Sequence, residues 1–185
     1  MAVIAAFALP HPPLILAPIG KGEEAAVQET IDSYNLIAQK IARLKPDTII
    51  ISSPHSPAYA DCFCFLGQQY AYGDMSAFNA PQIEFSAECD SALSDGILER
   101  AKKENLPIVS RRYKLDHGAV VPLSIIKSKF DGFKLMSLGI SGLSYAEHYK
   151  LGKCIADAAA DTGKKIVYIA SGDLSHKTAR GDAFA

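Results

Sequence analysis

Four of the five histidines in this 185-residue chain stand in turn-like sequence: Pro10-His11-Pro12-Pro13, Pro54-His55-Ser56-Pro57, Asp116-His117-Gly118 and Gly172-Asp173-Leu174-Ser175-His176. Imidazole is the commonest metal-ligating side chain and exchanges its proton near neutral pH. A convergence of several therefore points to metal binding, to proton transfer, or to both. The prolines beside His11 and His55 fix the backbone and remove competing N–H donors, which suits a rigid ligand loop and equally a plain turn. The shared placement of the histidines favours the ligand reading. Asp116 and Asp173, shortly before His117 and His176, are candidates for orienting an imidazole as outer hydrogen-bond acceptors, with turn stabilisation as the alternative. His148, among charged residues in SGLSYAEHYKLGK, reads as a solvated helix-face residue.

Other chemistries have weaker support. Gly139-Ile140-Ser141-Gly142-Leu143 lacks the last glycine of a G-x-S-x-G nucleophile elbow, and neither a Walker A nor a G-x-G-x-x-G motif occurs. Cys62 and Cys64 alternate on a strand-like segment and read as small packed hydrophobes.

The elements that must position the histidines follow from periodicity. Short apolar runs rich in Val and Ile at 2–9, 48–53, 134–140 and 165–172 predict strands, and their near-continuous hydrophobicity predicts a sheet covered on both faces. Helical spacing appears over 23–44, 87–104, 119–129 and 144–160, with Lys45-Pro46-Asp47 and Thr162-Gly163 as stop signals. The aromatic stretch 62–74 predicts a hairpin or an edge strand. Alternating strand and helix make an α/β fold with a mostly parallel or mixed central sheet. In such sheets ligands bind at the carboxyl ends of the strands, where His11, His55 and His176 would emerge. His117 would join them from the start of a helix.

Composition sets the outer bounds. With 49% hydrophobic and 21% charged residues the chain is globular, and residues 1–185 read as one domain. Nineteen basic against 20 acidic residues leave a formal net charge of −1, which gives no field for nucleic acid or for an anionic membrane surface. Four cysteines without a C-x-x-C pair fit a reducing cytoplasm. The apolar N-terminus lacks a preceding basic residue and is interrupted by prolines, unlike a signal peptide. After the strand at 165–172 the pattern calls for a further helix and strand, so the chain reads as a fragment or N-terminal module of a longer protein. A truncated apolar edge would favour pairing, making a homodimer an expectation.

Taken together in order, PHPP, the strand ending SPHSP, LDHG followed by VPL, and the late strand ending SGDLSH resemble the class III extradiol ring-cleavage dioxygenases, the LigB-type catalytic subunit. Within that superfamily the chain is most similar to the AmmeMemoRadiSam branch that includes the Memo proteins. The resemblance covers residues 2–176, and although each motif is short, the four in sequence are specific to the superfamily. It implies a mononuclear non-haem Fe(II) site that opens a catechol-type ring with O2. His11 and His55 would be metal ligands, His176 the acid/base that handles the substrate proton, and His117 a hydrogen-bonding partner in the pocket. Two imidazoles and one carboxylate on one face of iron leave positions for catecholate and O2. The family's carboxylate is a glutamate well downstream of the SGDLSH-like motif; here only Asp182 follows His176, a poor substitute in the polar tail. Two rivals remain: a Memo-like metal- or ligand-binding protein without ring cleavage, and a zinc-dependent hydrolase using the same histidines.

Overall fold

The computed structural model describes residues 2–173. Among them run β1 (Val3–Leu9), α1 (Ala17–Gly20), α2 (Gln28–Leu44), β2 (Thr48–Ser53), β3 (Phe63–Leu66), β4 (Tyr70–Met75), β5 (Ala80–Glu88), α3 (Ser91–Lys103), β6 (Ile108–Arg111), α4 (His117–Lys127), β7 (Lys134–Gly139), α5 (Tyr145–Thr162) and β8 (Ile166–Ser171). Six strands form one sheet in the order β1-β8-β2-β7-β3-β6, and β4 and β5 pair as a separate antiparallel ribbon. Within the large sheet every pairing is parallel except that of β3 with β7. This is the α/β fold with a mixed, mostly parallel sheet flanked by helices that the patterning predicts.

The period of two along each strand divides the core between two faces. In β2, Ile49 and Ile51 join one cluster with Tyr34, Ala38 and Ile41 of α2 and Val120 and Leu123 of α4. Ile50, between them, points the other way, into a cluster with Leu93 and Ile97 of α3 and Leu151 and Ile155 of α5. All three isoleucines are fully buried, so the central strand is covered on both sides. The edge strand β1 instead alternates half-buried and exposed positions.

Helix ends follow local chemistry. Lys45 closes α2 in the left-handed region, and Gly163 does the same for α5. Ser144 and Glu147 form a reciprocal capping box at the start of α5. The side chains of Asp90 and Asp116 cap α3 and α4.

Three expectations need correction. The stretch 62–74 is divided between two sheets: β3 enters the main sheet between β7 and β6, and only β4 has the expected hairpin and edge character, paired with β5 in the separate ribbon. The helix read over 87–104 begins only at Ser91, because Ala87 and Glu88 still belong to β5. Residues 23–27 form a 3-10 turn before α2 rather than its first turn. The β4–β5 ribbon matters for function because it props the start of α4. The Leu115 amide donates to the Tyr72 carbonyl at 2.8 Å, and a Cβ at Gly73 would stand 2.6 Å from Val120 Cγ2 and 2.7 Å from Leu115 Cβ. Only glycine permits that approach.

Candidate metal centre

Sheet order performs the first positioning step. β8 lies between β1 and β2, with Leu9 opposite Ser171 and Ser52 opposite Ala170. Three neighbouring strands therefore release their chains at one edge, and His11, His55 and Asp173 each follow just beyond a strand end. His117 is the first residue of α4. The imidazoles of His11, His55 and His117, far apart in sequence, meet with one ligand atom of each lying within 4.8 Å of the others. His11 is 1% exposed, His117 half-buried and His55 exposed, so the cluster has a buried floor and a solvent-facing side.

His11 Nε2 stands 3.0 Å from His55 Nε2. That is hydrogen-bond distance, and it is also a separation that two imidazole nitrogens could keep while sharing one cation at about 2.1 Å each. The pair thus fits adjacent positions on one cation. The His117 ring lies 4.2 Å from that of His55 and 5.4 Å from that of His11, centroid to centroid. Phe78, from the turn between β4 and β5, packs edge-on against His117 at 5.1 Å.

The surrounding hydrogen bonds hold these rings. His11 Nδ1 is 2.8 Å from Ser171 Oγ, and that hydroxyl lies 2.5 Å from the Gly118 carbonyl. A carbonyl only accepts, so Ser171 donates its one proton to Gly118 and must accept from His11 Nδ1–H. That places the metal-binding lone pair of a neutral His11 on Nε2. Asp173 accepts from the His11 amide at 3.2 Å, with its other oxygen 3.5 Å from His11 Nε2. The buried Tyr34 hydroxyl donates to the Pro10 carbonyl, one residue before His11. Burial, and then the Asp173 carboxylate, push the Tyr34 phenol far above its ordinary value, so it remains a donor.

Asp116 organises the other half of the centre. One carboxylate oxygen accepts from Ser53 Oγ at 2.6 Å and from the Ala119 amide at 3.2 Å, and the other accepts from Ser56 Oγ at 2.7 Å. These bonds clamp the loop that carries His55 to the helix that carries His117. The His117 imidazole is held below its usual pKa by burial first, then by the neighbouring His55 and His11 rings.

Of the residues singled out in the sequence, the fold brings His11, His55 and His117 together. Asp173 lies beside His11, while Asp116 binds serines and a backbone amide rather than an imidazole. His176 and Asp182 lie outside the described residues. His148 is half-buried rather than solvated, packs edge-on against Phe63 at 4.8 Å, and lines an apolar cavity of about 440 Å³ beside α5 that none of the clustered histidines lines. Ser53, Ser56, Ser171, Tyr34 and Phe78 escaped sequence reasoning. The serines did carry a signal, since hydroxyls flank His55 in Ser53-Pro54-His55-Ser56 and Ser171 closes the last strand.

Imidazoles gathered at the carboxyl ends of parallel strands and the start of α4 define an α/β protein with a histidine cluster that could hold a metal at the strand-end side of its sheet. The family follows from comparison. Residues 5–184 match the family described as the catalytic LigB subunit of aromatic ring-opening dioxygenase, and the chain belongs to that family. It is 33% identical over 181 residues to Protein CA_C1420 of Clostridium acetobutylicum, covering 92% of this chain and 39% of that protein. It is 26% identical over 193 residues to the 2-aminophenol 1,6-dioxygenase beta subunit of a Pseudomonas species, covering 94% of this chain and 63% of the relative. With the 3,4-dihydroxyphenylacetate 2,3-dioxygenase of Escherichia coli it shares 25% identity over 178 residues, 90% of this chain and 63% of that one. The chain thus spans between 39% and 63% of the length of these relatives. Among the described residues no helix is long and apolar enough to cross a membrane.

Proposed function

We propose that this chain carries the metal-binding face of an Fe(II)-dependent extradiol dioxygenase that opens a catechol-type aromatic ring with O2. The observation that carries the reading is the meeting of His11, His55 and His117 at one sheet edge, with two Nε2 atoms 3.0 Å apart. The named activities of the Pseudomonas and Escherichia coli relatives support the choice of reaction.

In this reading His11 and His55 hold the metal. Fe(II) held there would supply the Lewis-acidic, redox-active chemistry that activates a catechol toward O2. His117, backed by Phe78, hydrogen-bonds a substrate hydroxyl at the half-buried side of the cluster and leaves an apolar wall for the ring. His176 is the acid/base that takes the substrate proton and returns it after ring opening. The exposed side of His55 is the entrance for the aromatic substrate.

The test is elemental analysis of protein reconstituted anaerobically with Fe(II), beside a His11→Ala/His55→Ala variant, followed by a catechol panel. The expected result is near-stoichiometric iron that is lost in the variant, and a yellow ring-opened product. His176→Ala should keep the iron and lose the product. Iron content unchanged in the double variant overturns the site. Bound iron with no product from any catechol would make the chain a metal-binding module, as the resemblance to the Memo branch implies.

A second reading is favoured by the three-imidazole set itself, which with one water is a zinc-hydrolase ligand pattern. Zinc retained through purification, with ester or amide turnover abolished by chelation, would support it over the first.

A further inference from the structure

Pro122 sits well inside α4 and is buried. Proline is unfavourable there because it has no N–H to donate to the carbonyl four residues back. That carbonyl belongs to Gly118, and without the Pro122 donor it turns to another element: the Ser171 hydroxyl at the end of β8 donates to it at 2.5 Å. Ser171, only 8% exposed, has then used its one proton and accepts from His11 Nδ1 at 2.8 Å. A missing amide in α4 is thereby connected through two hydrogen bonds to the proton position of an imidazole on β1's loop.

We propose that Pro122 and Ser171 are positioning residues that lock His11 with its proton on Nδ1, so that Nε2 faces the cation beside His55. The proposal rests on the reading of His11 as a metal ligand and explains how this chain readies it. Were a residue with an amide at position 122, that N–H would compete for the Gly118 carbonyl. Ser171 would then be free to turn its proton toward His11 Nδ1, and the ring proton would move to Nε2, the atom needed for metal. The cost of a helix-interior proline is tied in this way to the chemistry of a residue that it does not touch.

The experiment uses the chain labelled with 15N-histidine. Long-range 1H–15N spectra of the metal-free protein at mildly alkaline pH read the tautomer of each ring, and Fe(II) titration under anaerobic conditions reads affinity. His11 of the wild type is expected as the Nδ1–H form. Ser171→Ala should convert it to a mixture and weaken Fe(II) binding by about 10–100-fold, the usual effect of losing an outer partner of a ligating histidine. Ser171→Thr, which keeps the hydroxyl, should restore both. Pro122→Ala should shift the tautomer part of the way without loss of folding cooperativity, and it keeps the test alive if Ser171→Ala fails to fold.

A wild-type His11 in the Nε2–H form, or a tautomer untouched by both Ser171→Ala and Pro122→Ala, overturns the proposal. An Nδ1–H ring that responds to these substitutions in a protein taking up no Fe(II) supports the relay while refuting the metal-site reading on which it rests.

Discussion

Replacing Gly118 with alanine places one methyl group inside the hydrogen-bonded knot that joins the His55 loop to α4. The new Cβ would stand 2.5 Å from Ser53 Oγ, 2.9 Å from Asp116 Oδ1 and 3.3 Å from His55 Cδ2. To regain an ordinary contact Ser53 Oγ must retreat by about 0.9 Å, enough to break its 2.6 Å bond to Asp116 and its weaker 3.3 Å contact with the His55 amide. A hydrogen bond to a charged acceptor contributes about 1.5–3 kcal/mol, and alanine returns at most about 1 kcal/mol of helix propensity. The net expectation is a loss of about 0.5–2 kcal/mol in stability. The larger consequence falls on His55, which loses its backbone anchor and its van der Waals clearance together. Displaced from its 3.0 Å partnership with His11, it should cost about 10–100-fold in Fe(II) affinity. Urea denaturation and anaerobic Fe(II) titration of the same preparation measure both quantities. A variant with wild-type affinity and midpoint would refute the claim that the Asp116 clamp holds the cluster.

Two further substitutions probe the frame around the site. Asp90 is 2% exposed and accepts from Thr48 Oγ1 at 2.6 Å, from Lys164 Nζ at 2.6 and 2.8 Å, and from the Leu93 amide at 3.2 Å. Burial raises its carboxyl pKa, but the Lys164, Thr48 and Leu93 hydrogen bonds outweigh it and hold the group below its ordinary value. Stability from a carboxyl depressed in the folded state is present above the unfolded value of about 3.9 and is lost as pH falls through the folded one. Asp90→Asn should therefore lose about 1–3 kcal/mol at pH 7 and show a shallower fall in acid; equal stability at pH 7 with an unchanged acid limb would contradict this. Tyr34→Phe removes the donor to the Pro10 carbonyl and should lower stability by about 1 kcal/mol, read as a lower urea midpoint. An unchanged midpoint would mean that Tyr34 supports the His11 loop through packing alone.

Legibility varied with the physics. The strands β1, β2, β7 and β8 are patent in sequence because their residues pack on one or two apolar faces, and runs such as Ile49-Ile50-Ile51 leave little alternative. The ribbon is harder. Pro81 interrupts β5, a feature that argues against a strand, and polar residues alternate along it because only positions such as Phe85 face the core. β3 and β4 run together in sequence because Gly67-Gln68-Gln69 is too short a break to announce that one strand joins the main sheet and the next leaves it. For the site, His11, His55 and His117 are legible as residue types beside Pro and Gly. Their partners are not, because Ser53, Ser56 and Ser171 acquire meaning only when a strand end, a loop and a helix start come within hydrogen-bond reach.

That reach depends on the position of β8. It is the last described element in sequence, yet it lies between β1 and β2 and pairs with both. A direct β1–β2 pairing would bring the His11 and His55 loops side by side but leave no Ser171 beneath His11 and no Asp173 beside it. Inserting β8 makes the neighbouring strand ends supply one imidazole each and the middle strand supply the groups that contact His11. α4 then closes the set from one side, held there by Asp116 to the His55 loop and by Ser171 to the His11 side. The centre is thus built from rigid elements tied to one another rather than from a single flexible loop, which is the condition for keeping two imidazole nitrogens 3.0 Å apart. Weakening either tie should act on metal affinity more than on the fold, because the core clusters on both faces of the sheet remain packed when the knot at its edge is loosened.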